Sequence, residues 1–113
     1  MIIKLKDYAK NHIGWLQGTY IQQSLQLNGR NCWFQVDGKG GAIWFEKGGQ
    51  WIAGLRSGGA LGTKSGYLFD YESKKVVCPN NAKKWKIKET SGHWVSVSSD
   101  LVKVQELTGF ITS

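Results

Sequence analysis

The chain of 113 residues is poor in proline (one), cysteine (two), histidine (two) and arginine (two). Each scarcity excludes something. A single proline among fifteen glycines, with no three-residue period, excludes a collagen-like chain and fits close backbone turns instead. Two cysteines, Cys32 and Cys78, are too few for a disulfide-dense secreted scaffold, and neither belongs to a CxxC pair that would hold zinc. They read as two buried thiols ahead of one disulfide. No run of about 18 apolar residues occurs, so no membrane-spanning helix and no membrane insertion are expected. The opening residues, MIIKLKDYAK, lack an apolar core segment and a small-residue cleavage site, so no secretory signal is expected. The compartment stays open, and extracellular use of the domain is compatible with the sequence.

Catalytic signals are also missing. His12 and His93 lie on separate segments, and neither completes a Ser/His/Asp or Cys/His order. There is no HExxH, P-loop or dinucleotide fingerprint. Asp70 and Glu72 stand two apart in sequence, but paired carboxylates act only with a facing geometry that spacing alone does not supply. No catalytic residue, metal or cofactor is therefore assigned, and an enzyme is not expected.

What the chain does have is aromatic and glycine. The densest stretch is Asn31–Gly54, NCWFQVDGKGGAIWFEKGGQWIAG, with three Trp and two Phe between glycine-containing breaks. Asp37-Gly38 and Lys47-Gly48-Gly49 supply residues that tolerate φ > 0, as tight hairpin turns require. Between them stand the short runs 32–36, 42–46 and 50–53, rich in aromatic and β-branched residues, which read as strands. A helix would bury four glycines at about 1 kcal/mol each.

The same punctuation continues along the chain. Ile2–Leu5 reads as a strand followed by a loop or a turn of helix, and Trp15–Gln23 as a strand that bends at Gly18. Asn28-Gly29 is the strongest hairpin signal, pairing Leu25–Leu27 with Arg30–Phe34. Gly54–Gly66 is a thirteen-residue loop with five glycines, a length associated with functional or mobile loops. Tyr67–Tyr71 carries aromatics at alternate positions. Lys84–Lys88 sets Trp85 and Ile87 on one face and three lysines on the other. Ser91-Gly92 turns into His93–Val97, and Leu101–Gln105 is the last strand, with Leu107, Phe110 and Ile111 available to tuck back. The fold class is thus all-β: one domain over residues 1–113, an antiparallel meander of seven to nine short strands closing into a small barrel or a two-layer sandwich. Its core module spans 15–104, with 1–13 as an appended strand or short helix. Successive strands should pair as neighbours.

The net charge of +7 is uneven: Lys74, Lys75, Lys83, Lys84, Lys86 and Lys88 fall in fifteen residues without one acid. Such a cluster attracts polyanions such as nucleic acid, sulfated glycans or anionic membrane surfaces; it also serves simply as a solvated edge that blocks strand pairing.

The order Trp15-Leu16-x-Gly18-x-Tyr20, Leu27-Asn28-Gly29-Arg30, Ile43-Trp44-Phe45, Trp51-Ile52, Gly66-Tyr67-Leu68, Cys78-Pro79 and Trp85-Lys86-Ile87 resembles a small Trp/Gly-rich β module of eukaryotic multidomain and extracellular proteins. That resemblance spans residues 15–104 and implies a non-enzymatic module, without catalytic residues to carry over. A local likeness covers Gly40–Gly54. There Gly40-Gly41, Trp44, Gly48-Gly49-x-Trp51 and Gly54 look like the glycan-binding loop of high-mannose-specific algal and cyanobacterial agglutinins, which repeat the motif where this chain has it once.

These readings lead to a non-catalytic recognition module. The first expectation is a carbohydrate or glycan ligand stacked on Trp44 and Trp51, with Arg56, Tyr67 and the Gly54–Gly66 loop completing the surface. The second is nucleic acid or another polyanion on the Lys74–Lys88 face, beside Tyr67, Phe69, Tyr71 and Trp85, although Trp85 alternates to the face opposite Lys84 and Lys86. A protein partner is the third. Against the first stands the need of a small β protein to fill its core with tryptophan. Trp33-Phe34 and Trp44-Phe45 each place one ring on either side of a strand, so one ring of each pair faces away from the main core unless something covers it.

Overall fold

Turn chemistry positions the strands. In the computed structural model, which describes residues 1–106, Asn28 and Gly29 both take positive φ (53° and 82°) and close the hairpin between β2 (Gly18–Leu27) and β3 (Arg30–Gln35). Leu27 pairs with Arg30 and Gln26 with Asn31, after which a bulge shifts the register between Gln26 and Gln22. Gly38 and Gly40, also at positive φ, turn the chain into β4 (Gly41–Phe45), and Gly49 turns it into β5 (Trp51–Leu55). The loop 56–67 leads to β6 (Leu68–Asp70). A crossing segment with a 3-10 turn at Pro79–Asn81 then leads to β7 (Trp85–Lys88) and β8 (Trp94–Val97). The N-terminal strand β1 (Ile2–Leu5) and the last strand β9 (Val102–Gln105) complete a nine-stranded antiparallel sheet, ordered β8-β7-β6-β5-β4-β3-β2-β1-β9.

That order explains why the sheet curls. Laid flat, nine strands at about 4.8 Å spacing would hold β8 and β9 about 38 Å apart. They are joined by residues 98–101 alone, whose span is at most about 18 Å and is tightened by the Leu101 N–H to Ser98 carbonyl bond. The sheet is therefore a nearly closed barrel, one of the two architectures expected from sequence.

Two local expectations change. β9 pairs with β1 (Ile3 opposite Val104, Leu5 opposite Val102) rather than with its sequence neighbour, because the inward Ile3, Leu5, Val102 and Val104 bury one another there. Trp15-Leu16 is not the start of a strand: Gly14–Leu16 is a 3-10 turn held by the Tyr20 hydroxyl, which donates to the Leu16 carbonyl at 2.6 Å. The turn of helix after β1 is α1 (Asp7–Ile13), which buries Ala9 and Ile13 in the barrel interior. Leu107, Phe110 and Ile111 lie outside the described residues.

The interior mixes aromatic with aliphatic side chains, and three of the six Trp lie in it. Trp33 and Phe45 pack on Trp51 with ring centroids 5.8 and 5.1 Å away, and Trp85, Tyr20, Ile43 and Leu68 fill the same cluster. Two buried polar side chains tie it. Gln35 donates to the carbonyls of Trp15 and Gln17 (3.0 and 3.1 Å) and accepts the Gly41 N–H (2.9 Å), so its amide is matched on both sides. Asp70 accepts the backbone N–H groups of Trp51 and Glu72. Burial pushes its carboxyl above the usual carboxylate range; the two N–H bonds oppose this, and the charges of Glu72 and Glu46 reinforce it. Both cysteines are free thiols, with burial raising that of Cys32.

Gln35→Leu leaves three backbone groups without their partner and should lower unfolding free energy by about 3 kcal/mol, at about 1 kcal/mol each, in a denaturant titration. A loss under about 1 kcal/mol would mean that water replaces the amide. Asp70 supplies a second check. Its folded-state proton affinity is raised, so its contribution is present below its ordinary value of 3.8 and is lost as pH rises through the folded value. The wild-type protein should therefore lose melting temperature relative to Asp70→Asn as pH rises above 3.8. A constant or opposite gap would refute the raised affinity.

Candidate recognition face

Strand alternation sends one set of β5–β8 side chains into the barrel and the other outward. In the outward set Phe69 stands opposite Lys86, Lys86 opposite Ser96, and Lys88 opposite Trp94. Tyr67 joins them from just before β6, where its carbonyl accepts the Lys88 N–H at 2.9 Å. Lysines and rings are thus interleaved. The Lys86 ammonium lies 5.4 Å from the Tyr71 ring centroid and 6.0 Å from that of Phe69, and the Lys88 ammonium lies 5.4 Å from that of Tyr67. Phe69 meets Trp94 edge-on at 4.7 Å, and Tyr67 meets Trp15 edge-on at 5.2 Å.

The neighbouring part of the outer face, over β3–β5, is closed. Cys32, Ala42, Trp44 and Ile52 point outward there and form a second small core, covered by Ala60 and Leu61 of the glycine-rich loop together with Leu27, Phe34 and Phe69. Three hydrogen bonds seat the loop or its anchor. The Trp44 indole N–H donates to the Thr63 carbonyl at 2.7 Å, and the Asn28 amide donates to the carbonyls of Gly62 (3.1 Å) and Phe45 (2.7 Å). The loop can lie this low only because Gly66 of the loop and Gly54, which belongs to β5 rather than to the loop expected from sequence, both lack a side chain. A Cβ on Gly66 would run into Ile52 Cγ2 and lie 2.9 Å from the Ala53 carbonyl oxygen; one on Gly54 would lie 2.9 Å from the Gly66 Cα.

Between this loop and the open face runs a cleft of about 350 Å³, lined by Leu55, Ser57, Lys64, Tyr67, Lys88 and Trp94 among others. A second cleft of similar size shares Tyr67 and Lys88 and continues past Trp15, His12 and Thr90. His12 Nδ1 accepts the Thr90 N–H at 2.9 Å, tying α1 to the β7–β8 turn. A larger opening of about 570 Å³ lies around β1, Gln17 and Lys103 and contains none of the expected site residues.

The structure redistributes the residues singled out from sequence. Trp44 and Trp51 are corrected: they are 0% and 1% exposed, with their indole N–H groups donated to the carbonyls of Thr63 and Val76. Trp51 belongs to the barrel interior and Trp44 to the core under the loop, so neither offers a ring face to a sugar. Arg56 is exposed but lies over the Phe34 ring, 5.2 Å from its centroid, rather than in the cleft. Tyr67 is in the cleft. The lysines separate: Lys86 and Lys88 are on the open face and Lys84 enters the same strand. Lys83 borders an opening beside β9, and Lys75 lies against Gly49 at the β4–β5 turn, with Lys74 exposed next to it. Trp94 and Lys64 were not singled out. The signal for Trp94 was its parity: with Val95 and Val97 inward it must face outward, and the turn at Ser91-Gly92 sets it opposite Lys88.

The arrangement offers cations, ring faces and the hydroxyl of Ser57 to a ligand. Among the described residues no group of three or more His, Cys, Asp or Glu side chains is gathered as for a metal, and no helix is long and apolar enough to cross a membrane. Comparison with protein-family models, with curated protein sequences and with solved structures finds no match.

Gly66→Ala should lift the loop. The Trp44 indole N–H, followed by NMR hydrogen exchange, is expected to exchange about tenfold faster or more, with a stability loss of about 1–3 kcal/mol from overpacking. Unchanged exchange and melting would show that the loop does not depend on this approach.

Proposed function

We propose that the protein is a non-catalytic recognition module that takes an anionic chain polymer on the face formed by Tyr67, Phe69, Lys86, Lys88 and Trp94. The observation that carries this reading is the interleaving itself: two ammonium groups stand over three ring faces within about 6 Å, on the outward side of one sheet. Among the described residues, lysines on that face are not matched by carboxylates, and the one ion pair is Lys39–Asp37 at 3.9 Å, on a different turn. With a formal charge of +7, the field around the protein draws anions, and the open face gives them a place to settle. Trp94, 37% exposed, adds a ring that a flat ligand group can cover.

The glycan expectation loses the two tryptophans it was built on. A sugar ligand would now have to use Trp94 and Tyr67, and its charged forms fit the lysines better than neutral ones.

The test is binding of labelled polyanions at low salt by fluorescence anisotropy. The double variant Lys86→Ala/Lys88→Ala should weaken binding about tenfold or more, while Lys4→Ala/Lys103→Ala, which removes the same charge around β1, should change it less than about twofold. Equal losses would mean that net charge rather than this face does the binding. Retention of a neutral mannose polymer at about 0.5 M salt, where ionic attraction is screened, would support the neutral-glycan reading instead.

A further inference from the structure

We infer that the polymer is single-stranded nucleic acid, its phosphates on Lys86, Lys88 and Lys64 and a base stacked on Trp94. This rests on the reading of the face given above and names the ligand class.

Spacing carries the first step. Lys86 and Lys88 are alternate residues of β7 and both face outward. Alternate strand residues stand about 6.8 Å apart, two rises of about 3.4 Å. Successive phosphates of one strand wind around the helix axis as they rise about 3.4 Å along it, so their through-space separation exceeds that rise and two adjacent phosphates can reach the two lysines. In a strand without a partner the bases are free to unstack and turn their faces to protein rings.

The rings are where those faces would arrive. Trp94 is directly across from Lys88 in the β7–β8 ladder. It contacts Phe69 at an interplanar angle of 61° and keeps 37% of its surface exposed. Tyr67 lies on the other side of Lys88 and lines both clefts. Lys64 and Ser57, on the loop, border the cleft opposite the strands, so a chain entering it meets cations on both walls. A basic groove along the backbone with rings for successive bases is the arrangement by which single strands are held without sequence preference. A duplex meets this face poorly, because its bases stay stacked and no described element projects from it into a groove.

A sulfated glycan shares the charge but lacks the aromatic bases, and the experiment separates the two. Fluorescence anisotropy at about 20 mM salt would compare a labelled thymidine homopolymer with an abasic phosphodiester strand of equal length, its duplex form and a sulfated oligosaccharide of matched charge. The base-bearing single strand should bind about tenfold tighter than the abasic strand and the duplex. Trp94→Ala should reduce that preference to about threefold or less without changing the salt slope, and Trp94→Phe should restore most of it. Lys88→Ala should lower the slope of log K against log salt by about 0.7. Equal affinity for base-bearing and abasic strands, tighter binding of the sulfated sugar, or indifference to Trp94→Ala would overturn the nucleic-acid inference while leaving polyanion recognition intact. Absence of binding to all four would overturn both.

Discussion

Everything about the outer surface depends on how Trp44 is covered. Strand β4 is buried on both sides, so its outward indole must be dried by something other than the barrel. The loop 56–66 does this, and the bond from the Trp44 N–H to the Thr63 carbonyl fixes where the loop lies. A large aromatic buried under a loop with its polar group matched is a stable arrangement; the same group left unmatched would cost about 1–3 kcal/mol. Once the loop is seated over β3–β5 it cannot also cover β6–β8. The closed and open halves of the sheet are consequences of a single packing decision, and the cleft is the border between them.

The barrel supplies the other constraint. Because β8 and β9 are joined by four residues, the sheet must curl, and β8 becomes the last strand on its side, with no further element among the described residues packed on its outward side chains. Trp94 is half-exposed for that reason. The lysines beside it occupy positions that, in a strand covered on both faces, would carry aliphatic side chains. Their ammonium groups rest over the rings of Tyr67, Phe69 and Tyr71, which keeps the ring faces associated with cations and the cations available to solvent-borne anions.

Much of this was legible in the sequence. Asn28-Gly29, Asp37-Gly38 and Lys47–Gly49 each mark a turn that the backbone makes, because positive φ is a local requirement that residue type reveals. The alternation of Trp85 and Ile87 with the lysines around them fixes the two faces of β7 in the same way. What residue order could not reveal was tertiary. The adjacent pair Trp44-Phe45 shows that one ring must leave the barrel interior, but not that a loop ten residues further on returns to cover it. The pairing of β9 with β1 and the 3-10 turn at Gly14–Leu16 likewise depend on contacts made across the chain, through Val102, Val104 and the Tyr20 hydroxyl. The lysine run shows the opposite failure. Six residues close in sequence separate in space because Pro79–Asn81 and the crossing segment carry Lys74 and Lys75 to another turn.

The most direct test of this division is residue-resolved oxidative footprinting of the native protein, with each tryptophan quantified by mass spectrometry. The account predicts that Trp94 is modified fastest and Trp15 next. Trp44, Trp51 and Trp85 should stay protected until the protein unfolds. Modification of Trp44 or Trp51 at the rate of Trp94 under native conditions would contradict it, because the loop would then not close the outer core and the ligand-facing ring would have been assigned to the wrong half of the sheet.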